Sequence, residues 1–169
     1  DTKKLIQGIS ADPRIGSNYN NPSFAYGGYC LPKDVKQLNS TIKTVGLKSP
    51  LISSITASNL NRLEYVCQKI VDMKKNKIGI FRLEMKKNSD NFRESAALKI
   101  AEILVGRGLD ILVHEPSLKD DHDNLNNFKV ENDFEKFVQK TDLIICNRWD
   151  DILMPFRHKI FTRDIYNEN

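Results

Sequence analysis

A chain of 169 residues is long enough to bury a core of its own and lies near the usual size of one domain. With 40% hydrophobic and 28% charged residues it has the composition of a soluble globular protein, and 26 Lys+Arg against 22 Asp+Glu leave a net charge of only +4. That charge is too small, and its lysine pairs (Lys3-Lys4, Lys74-Lys75, Lys86-Lys87) too scattered, for a nucleic-acid groove; no apolar run is long enough to span a bilayer. The three cysteines, Cys30, Cys67 and Cys146, form no CxxC pair and leave one over, which suits a reducing cytoplasm better than a disulfide framework. The three histidines have no metal-ligand spacing with each other or with the cysteines. The opening Asp-Thr-Lys-Lys, with neither an initiator Met nor a signal peptide, reads as a piece of something longer.

Residues 10–32 are dense in Gly, Pro, Asn, Ser and Tyr, and the aromatics Tyr19, Phe24, Tyr26 and Tyr29 mark a structured loop rather than a linker. A helix is expected from Lys33 to Val45, closed near Gly46 and by Pro50. A longer one follows from Leu51 to Met73, with Ile52, Ile55, Leu63, Val66, Cys67 and Ile70 at steps near three and four. Strands and helices then alternate: strand Lys77–Leu83, helix Arg93–Val105 with Ala97, Leu98, Ala101, Leu104 and Val105 inward, strand Leu109–His114, helix Asp133–Gln139, strand Leu143–Cys146, and a short strand at Ile160-Phe161. This order predicts an α/β fold: a mainly helical segment over residues 1–75, then a Rossmann-like parallel sheet covered on both faces over 76–169.

The strongest chemical signal is Tyr26-Gly27-Gly28-Tyr29-Cys30-Leu31-Pro32-Lys33-Asp34. Two glycines allow close backbone approach or positive φ, and they deliver a cysteine to a helix start with Pro32 in the first turn. A helix N-terminus and a lysine three residues on would both favour thiolate over thiol. Asp34, four residues after Cys30, stands about one turn away if the helix has begun, where it could hold a water. Cys67 and Cys146 lie on apolar elements and are expected in the core.

The run Asn20-Asn21-Pro22-Ser23-Phe24-Ala25 leading into this motif resembles the active-site segment of the UDP-glucose/GDP-mannose dehydrogenase family. A second block, Arg82 to Ser95, is similar to that family's GLxFKxxxDDxRES stretch, with Arg82, Met85 and Asn91 where many members carry Gly, Phe and Asp, a variant shared by capsule-type bacterial members. The resemblance implies two-step oxidation of UDP-glucose to UDP-glucuronate with NAD, by way of a thiohemiacetal and a thioester on Cys30, and a place in polysaccharide or capsule biosynthesis. It assigns Asp34 to the hydrolytic water and Lys33 and Arg93 to the NAD side. Lys86, Tyr19, Asn20, Asn21, Pro22, Ser23 and Gly27 go to the nucleotide sugar, and Arg14 to a substrate bound across the interface of a homodimer. Arg148 and Arg163, at the ends of late strands, are either uridine contacts or ordinary surface arginines.

No G-x-G-x-x-G follows a strand, and the Gly106–Gly108 turn sits after a helix and before a strand, the wrong order for a dinucleotide fingerprint. The expectation is therefore a partial enzyme: a UDP-binding unit with its nucleophile, joined elsewhere to an NAD-binding half and inactive without it. A non-catalytic module that binds UDP-sugar and dimerises through the helix at 51–73, or a dehydrogenase of GDP-mannose, are the alternatives.

Overall fold

The computed structural model describes residues 1–83, 94–118 and 128–167. Helix α1 (Thr2–Ser10), to which the sequence pattern assigned nothing, is capped by Asp1, whose carboxylate accepts from the Lys3 amide at 2.9 Å. Helix α2 (Cys30–Thr44) begins three residues before the expected Lys33. The first four amides of a helix have no internal partner, so Pro32 fits within the first turn and does not have to open it. Gly46, at φ +73°, ends it.

Helix α3 (Pro50–Val71) buries Leu63, Val66, Cys67 and Ile70, whereas Ile52 and Ile55 are only half-buried. The apolar stripe read from the sequence is thus fully buried in its second half alone, where α4 (Ala96–Gly106) packs on α3; α2 also packs on α3, and Ser53 of the first half bonds Asn39 of α2. Ser95 caps α4 by accepting from the Leu98 amide at 3.1 Å. Val105, expected inward, is 47% exposed: eight residues on from Ala97 the helix has turned about 80° off the buried face.

The remaining elements are β1 (Lys77–Phe81), β2 (Asp110–His114), β3 (Lys129–Val130), α5 (Phe134–Lys140), β4 (Leu143–Cys146), a 3-10 stretch (Asp151–Lys159) and β5 (Ile160–Phe161). The sheet is fully parallel in the order β3-β2-β1-β4-β5. Alternate residues of β4 enter opposite cores: Leu143 and Ile145 join α3 and α4, while Ile144 and Cys146 join Phe137, Trp149 and Leu153 on the other face. The covered parallel sheet is the expected one. β1 stops at Phe81 rather than Leu83 because Arg82 leaves the extended region at φ +60°. β3 and the 3-10 stretch were not expected; the one is two exposed residues long and the other carries Pro155 and mixed polarity, so neither has a periodicity to read.

Gly79 lies at a close approach between the sheet and α5. A Cβ there would lie 2.6 Å from Phe137 Cζ and 2.9 Å from Thr141 Cγ2. The change Gly79→Ala is expected to cost about 1–3 kcal/mol by overpacking the β1–α5 contact, read from the urea midpoint; an unchanged midpoint contradicts that packing.

Candidate functional site

The loop between α1 and α2 is fastened on two sides. From α3, the Asn59 side chain accepts from the Tyr26 amide and donates to the Tyr26 carbonyl, both at 3.0 Å. Arg62, one turn further on, donates to the carbonyls of Phe24 (3.1 Å) and Ser23 (3.2 Å). From the sheet, Asn147, immediately after β4, accepts from Ser23 Oγ (3.0 Å) and the Phe24 amide (3.1 Å) through one oxygen. Arg148 donates to the Pro22 carbonyl at 2.7 Å and the Asn21 carbonyl at 3.5 Å. Asn21 in turn donates to Asp164 at 2.8 Å, past the end of β5, and accepts from the Ile165 amide at 3.3 Å. Phe24, fully buried, stacks on Phe161 with ring centroids 6.0 Å apart. The helical segment and the carboxyl ends of the sheet therefore share one loop.

The clamped loop sets the entry of the chain into α2. Gly27 is buried, Gly28 takes φ +83°, and its amide donates to the Glu94 carbonyl at 3.0 Å. The chain then enters α2 at Cys30, which is exposed at the N-terminal end of the helix. Asp34 stands on the same helix face one turn later. Lys33 turns toward Asp34, with Nζ 3.4 Å from Oδ1, and lies over the Tyr29 ring at 5.1 Å. Hydrogen bonding to Asp34 comes first among the causes that hold the Lys33 ammonium above its ordinary pKa. Cys67 and Cys146 are buried, and burial pushes their thiols up to about 11 and about 12 respectively. The described structure thus leaves Cys30 as the accessible thiol. Brief treatment of the folded chain with iodoacetamide is expected to add one carbamidomethyl group by intact mass, and Cys30→Ser to abolish it; labelling that persists in the variant overturns this assignment.

The other residues divide. Asn20 joins the fold through Ser10 Oγ and, at 2.8 Å, the Gly16 carbonyl, while Asn21, Pro22 and Ser23 are held by the sheet ends and by Arg62. Tyr19 is exposed at φ +61°. Arg14 is exposed and closes on Asp12 at 2.6 and 3.0 Å, which keeps its guanidinium within its own turn. Lys86 and Arg93 lie outside the described residues. Arg148 is more than a plain surface arginine: it holds the loop's carbonyls and lies beside the cleft described below. Asn59, Arg62, Asn147 and Asp164 were missed, although the expected end of β4 at Cys146 already put Asn147 and Arg148 at the carboxyl end of the sheet, the side where open α/β sheets bind ligands. Gln7, Ser10, Tyr19, Asn20, Arg148 and Tyr166 are among the residues lining a cleft of about 610 Å³. Among the described residues no group of His, Cys, Asp and Glu could hold a metal, and no helix is long and apolar enough to cross a membrane.

A parallel open sheet joined through such a loop to an exposed cysteine at a helix start defines an open α/β unit with an accessible thiol. The central domain of the UDP-glucose/GDP-mannose dehydrogenase family matches residues 1–61, and the UDP binding domain of that family matches residues 79–163; the chain belongs to this family. It is similar to a UDP-glucose 6-dehydrogenase of Campylobacter jejuni, 46% identical over 164 residues covering 96% of this chain and 41% of that protein. A GDP-mannose 6-dehydrogenase of Pseudomonas savastanoi is 27% identical over 173 residues, 94% of this chain and 40% of that protein. Among solved structures, a UDP-glucose dehydrogenase from the archaeon Pyrobaculum islandicum shares the fold with a TM-score of 0.80 at 20% identity, over 99% of this chain and 41% of that one. The chain spans about two fifths of the length of the curated relatives it matches.

Proposed function

We propose that this chain is the nucleophile-bearing, UDP-binding part of an NAD-dependent UDP-glucose 6-dehydrogenase, with Cys30 as the nucleophile. The observation that carries the reading is the exposed Cys30 at the start of α2, delivered there by a loop tied to both the helical segment and the sheet. In this reading the Cys30 sulfur adds to the C6 aldehyde of the sugar, forming a carbon–sulfur bond while the carbonyl oxygen takes a proton. Two removals of hydride from C6, for which NAD is the acceptor implied by the resemblance, bracket this capture. Once C6 is an acyl thioester, Asp34 orients a water onto it, the carbon–sulfur bond breaks, and UDP-glucuronate leaves with the thiol restored.

Gly108, at φ +81°, follows α4 and precedes β2, so the Gly106–Gly108 turn opens no helix toward the pyrophosphate of NAD. Lys33 and Arg93 are assigned to its edge only. The cleft lined by Tyr19, Asn20 and Asn21 has the volume of a nucleotide-sized site and supports the assignment of these three to UDP-glucose; Pro22, Ser23, Gly27 and Lys86 are assigned to it on the resemblance alone. The higher identity to the UDP-glucose enzyme favours that sugar over GDP-mannose. The exposed Leu51 (76%) and Leu60 (54%) in the first half of α3 support a homodimer through this helix, with Arg14 reaching a substrate in the other subunit. We place the domain boundary between residues 75 and 76 and the protein in the cytoplasm. The test is to join the chain to the dinucleotide-binding half of a family member and follow NADH: UDP-glucose should support its formation and GDP-mannose should not, and the reverse preference contradicts the sugar assignment.

A further inference from the structure

The sheet runs β1 to β2 to β3 in one direction and then crosses back to place β4 on the other side of β1. The reversal makes the carboxyl ends of β1 and β4 the switch point, where the crevice of an open α/β sheet lies. The first residue beyond β1 is Arg82, and beyond β4 come Asn147, Arg148, Trp149 and Asp150.

Arg82 is held there in an unusual way. Its φ of +60° is one that a residue with a Cβ adopts at a cost of about 1–2 kcal/mol. The conformation is imposed from both sides: the Arg82 amide donates to the His114 carbonyl at 2.8 Å, and the Leu83 amide donates to Glu115 Oε2 at 2.7 Å. The side chain lies over the Phe81 ring at 5.4 Å and reaches Asp150, with Nη2 3.0 Å from Oδ2. Its Nε is buried and has no hydrogen-bond partner. The indole nitrogen of Trp149, a side chain 3% exposed, is the other buried side-chain nitrogen or oxygen without a partner among the described residues, and it too belongs to a residue at the end of β4. A guanidinium presents five donors in a planar fork, and a single carboxylate leaves part of that fork unused. Strain, an idle buried donor and an anionic partner at the switch point are the features of a cation whose proper acceptor is a ligand.

We propose that Arg82 binds the diphosphate of the nucleotide sugar, its guanidinium moving from Asp150 to an anionic phosphate oxygen when the ligand enters. This rests on the reading of the chain as a UDP-binding unit, with the Asp150 carboxylate standing in for the phosphate in the free protein.

Calorimetric titration of the chain with UDP and with uridine tests it, using Arg82→Gly, which suits the positive φ, and Arg82→Lys, which keeps a cation opposite Asp150. Arg82→Gly should weaken UDP about 10- to 100-fold while uridine changes less than about 2-fold, the loss expected of a charge-assisted contact to phosphate. Arg82→Lys should lose at least about 5-fold on UDP alone, because a point charge does not replace the fork; it decides the matter in the same way should Arg82→Gly not fold. Equal weakening of UDP and uridine, or no weakening of either, overturns the role of Arg82 and leaves the UDP-binding reading standing. A wild-type chain that binds no UDP overturns both.

Discussion

Replacing Cys30 by Ala in the chain joined to a dinucleotide-binding half is expected to lower the steady rate of NADH formation from UDP-glucose by at least about a thousand-fold. The loss should fall on kcat, because the sulfur is exposed at the start of α2 and holds no part of the core. UDP affinity, which the proposed site places on the loop and the sheet ends, should stay within about two-fold of wild type on the same argument. Cys30→Ser should be similarly slow, since a hydroxyl at neutral pH is a far weaker nucleophile than a thiolate and an ester a poorer acyl donor than a thioester. A Cys30→Ala protein that keeps a tenth or more of the rate, as an order of magnitude, sinks the nucleophile assignment.

The second large effect falls on stability. Asp164 is 5% exposed, and its carboxylate accepts from the Trp149 amide (3.0 Å), Asn21 Nδ2 (2.8 Å), the Tyr166 amide (3.0 Å) and the Asn167 amide (2.8 Å). Burial is the largest single influence and would raise its pKa, yet the four donors together outweigh it and hold the group below the ordinary carboxylate value. Asp164→Ala is therefore expected to cost about 3–5 kcal/mol in urea unfolding, since it strips a buried knot of its acceptor. UDP binding should weaken with it, because Asn21 loses its anchor. A cost below about 1 kcal/mol contradicts the knot.

The same group sets part of the acid limit. With the folded pKa depressed, its contribution is complete above the unfolded value of about 4 and is lost as pH falls through the folded one. His114 acts earlier: it is 4% exposed against Phe81, Phe134 and Phe137, and burial lowers its pKa, with the Glu131 carbonyl at Nδ1 pulling the other way. The unfolded chain takes up that proton first, so stability begins to fall as pH drops below about 6.5, and the loss levels off below the folded pKa. Urea midpoints measured from pH 8 to pH 3 should decline in these two stages, the second being smaller in Asp164→Asn.

Much of this was legible in the residues. β4 and β5 fall where their apolar runs stand, and Gly27-Gly28-Tyr29-Cys30 announced a turn into a helix because glycine and Pro32 carry local conformational information. The start of α2 lies earlier than Lys33 because Pro32 sits inside the first turn and does not open it. What holds the loop was not legible. Asn147 meets Phe24 across 123 positions and Asn59 meets Tyr26 across 33, and an amide at a strand end or on a half-covered helix carries no local sign of the carbonyl or amide it will meet. Arg148 shows the same gap: its place beyond β4 was readable, but its partners, the carbonyls of Asn21 and Pro22, were not. Arg82 was read into the strand expected to run to Leu83, although it stands where many family members carry Gly; the His114 and Glu115 groups that impose its positive φ lie more than thirty residues on and gave no local sign.

The most direct measurement of the central claim is peptide mass spectrometry of the joined protein, quenched in acid during turnover of UDP-glucose. In Asp34→Asn, where hydrolysis should be the slow step, the peptide bearing Cys30 is expected to carry the mass of the UDP-glucuronyl group as a thioester labile to hydroxylamine. Turnover without such an adduct in this variant, together with NADH formation that survives Cys30→Ala, would show that the sulfur at the start of α2 is not where the sugar is held.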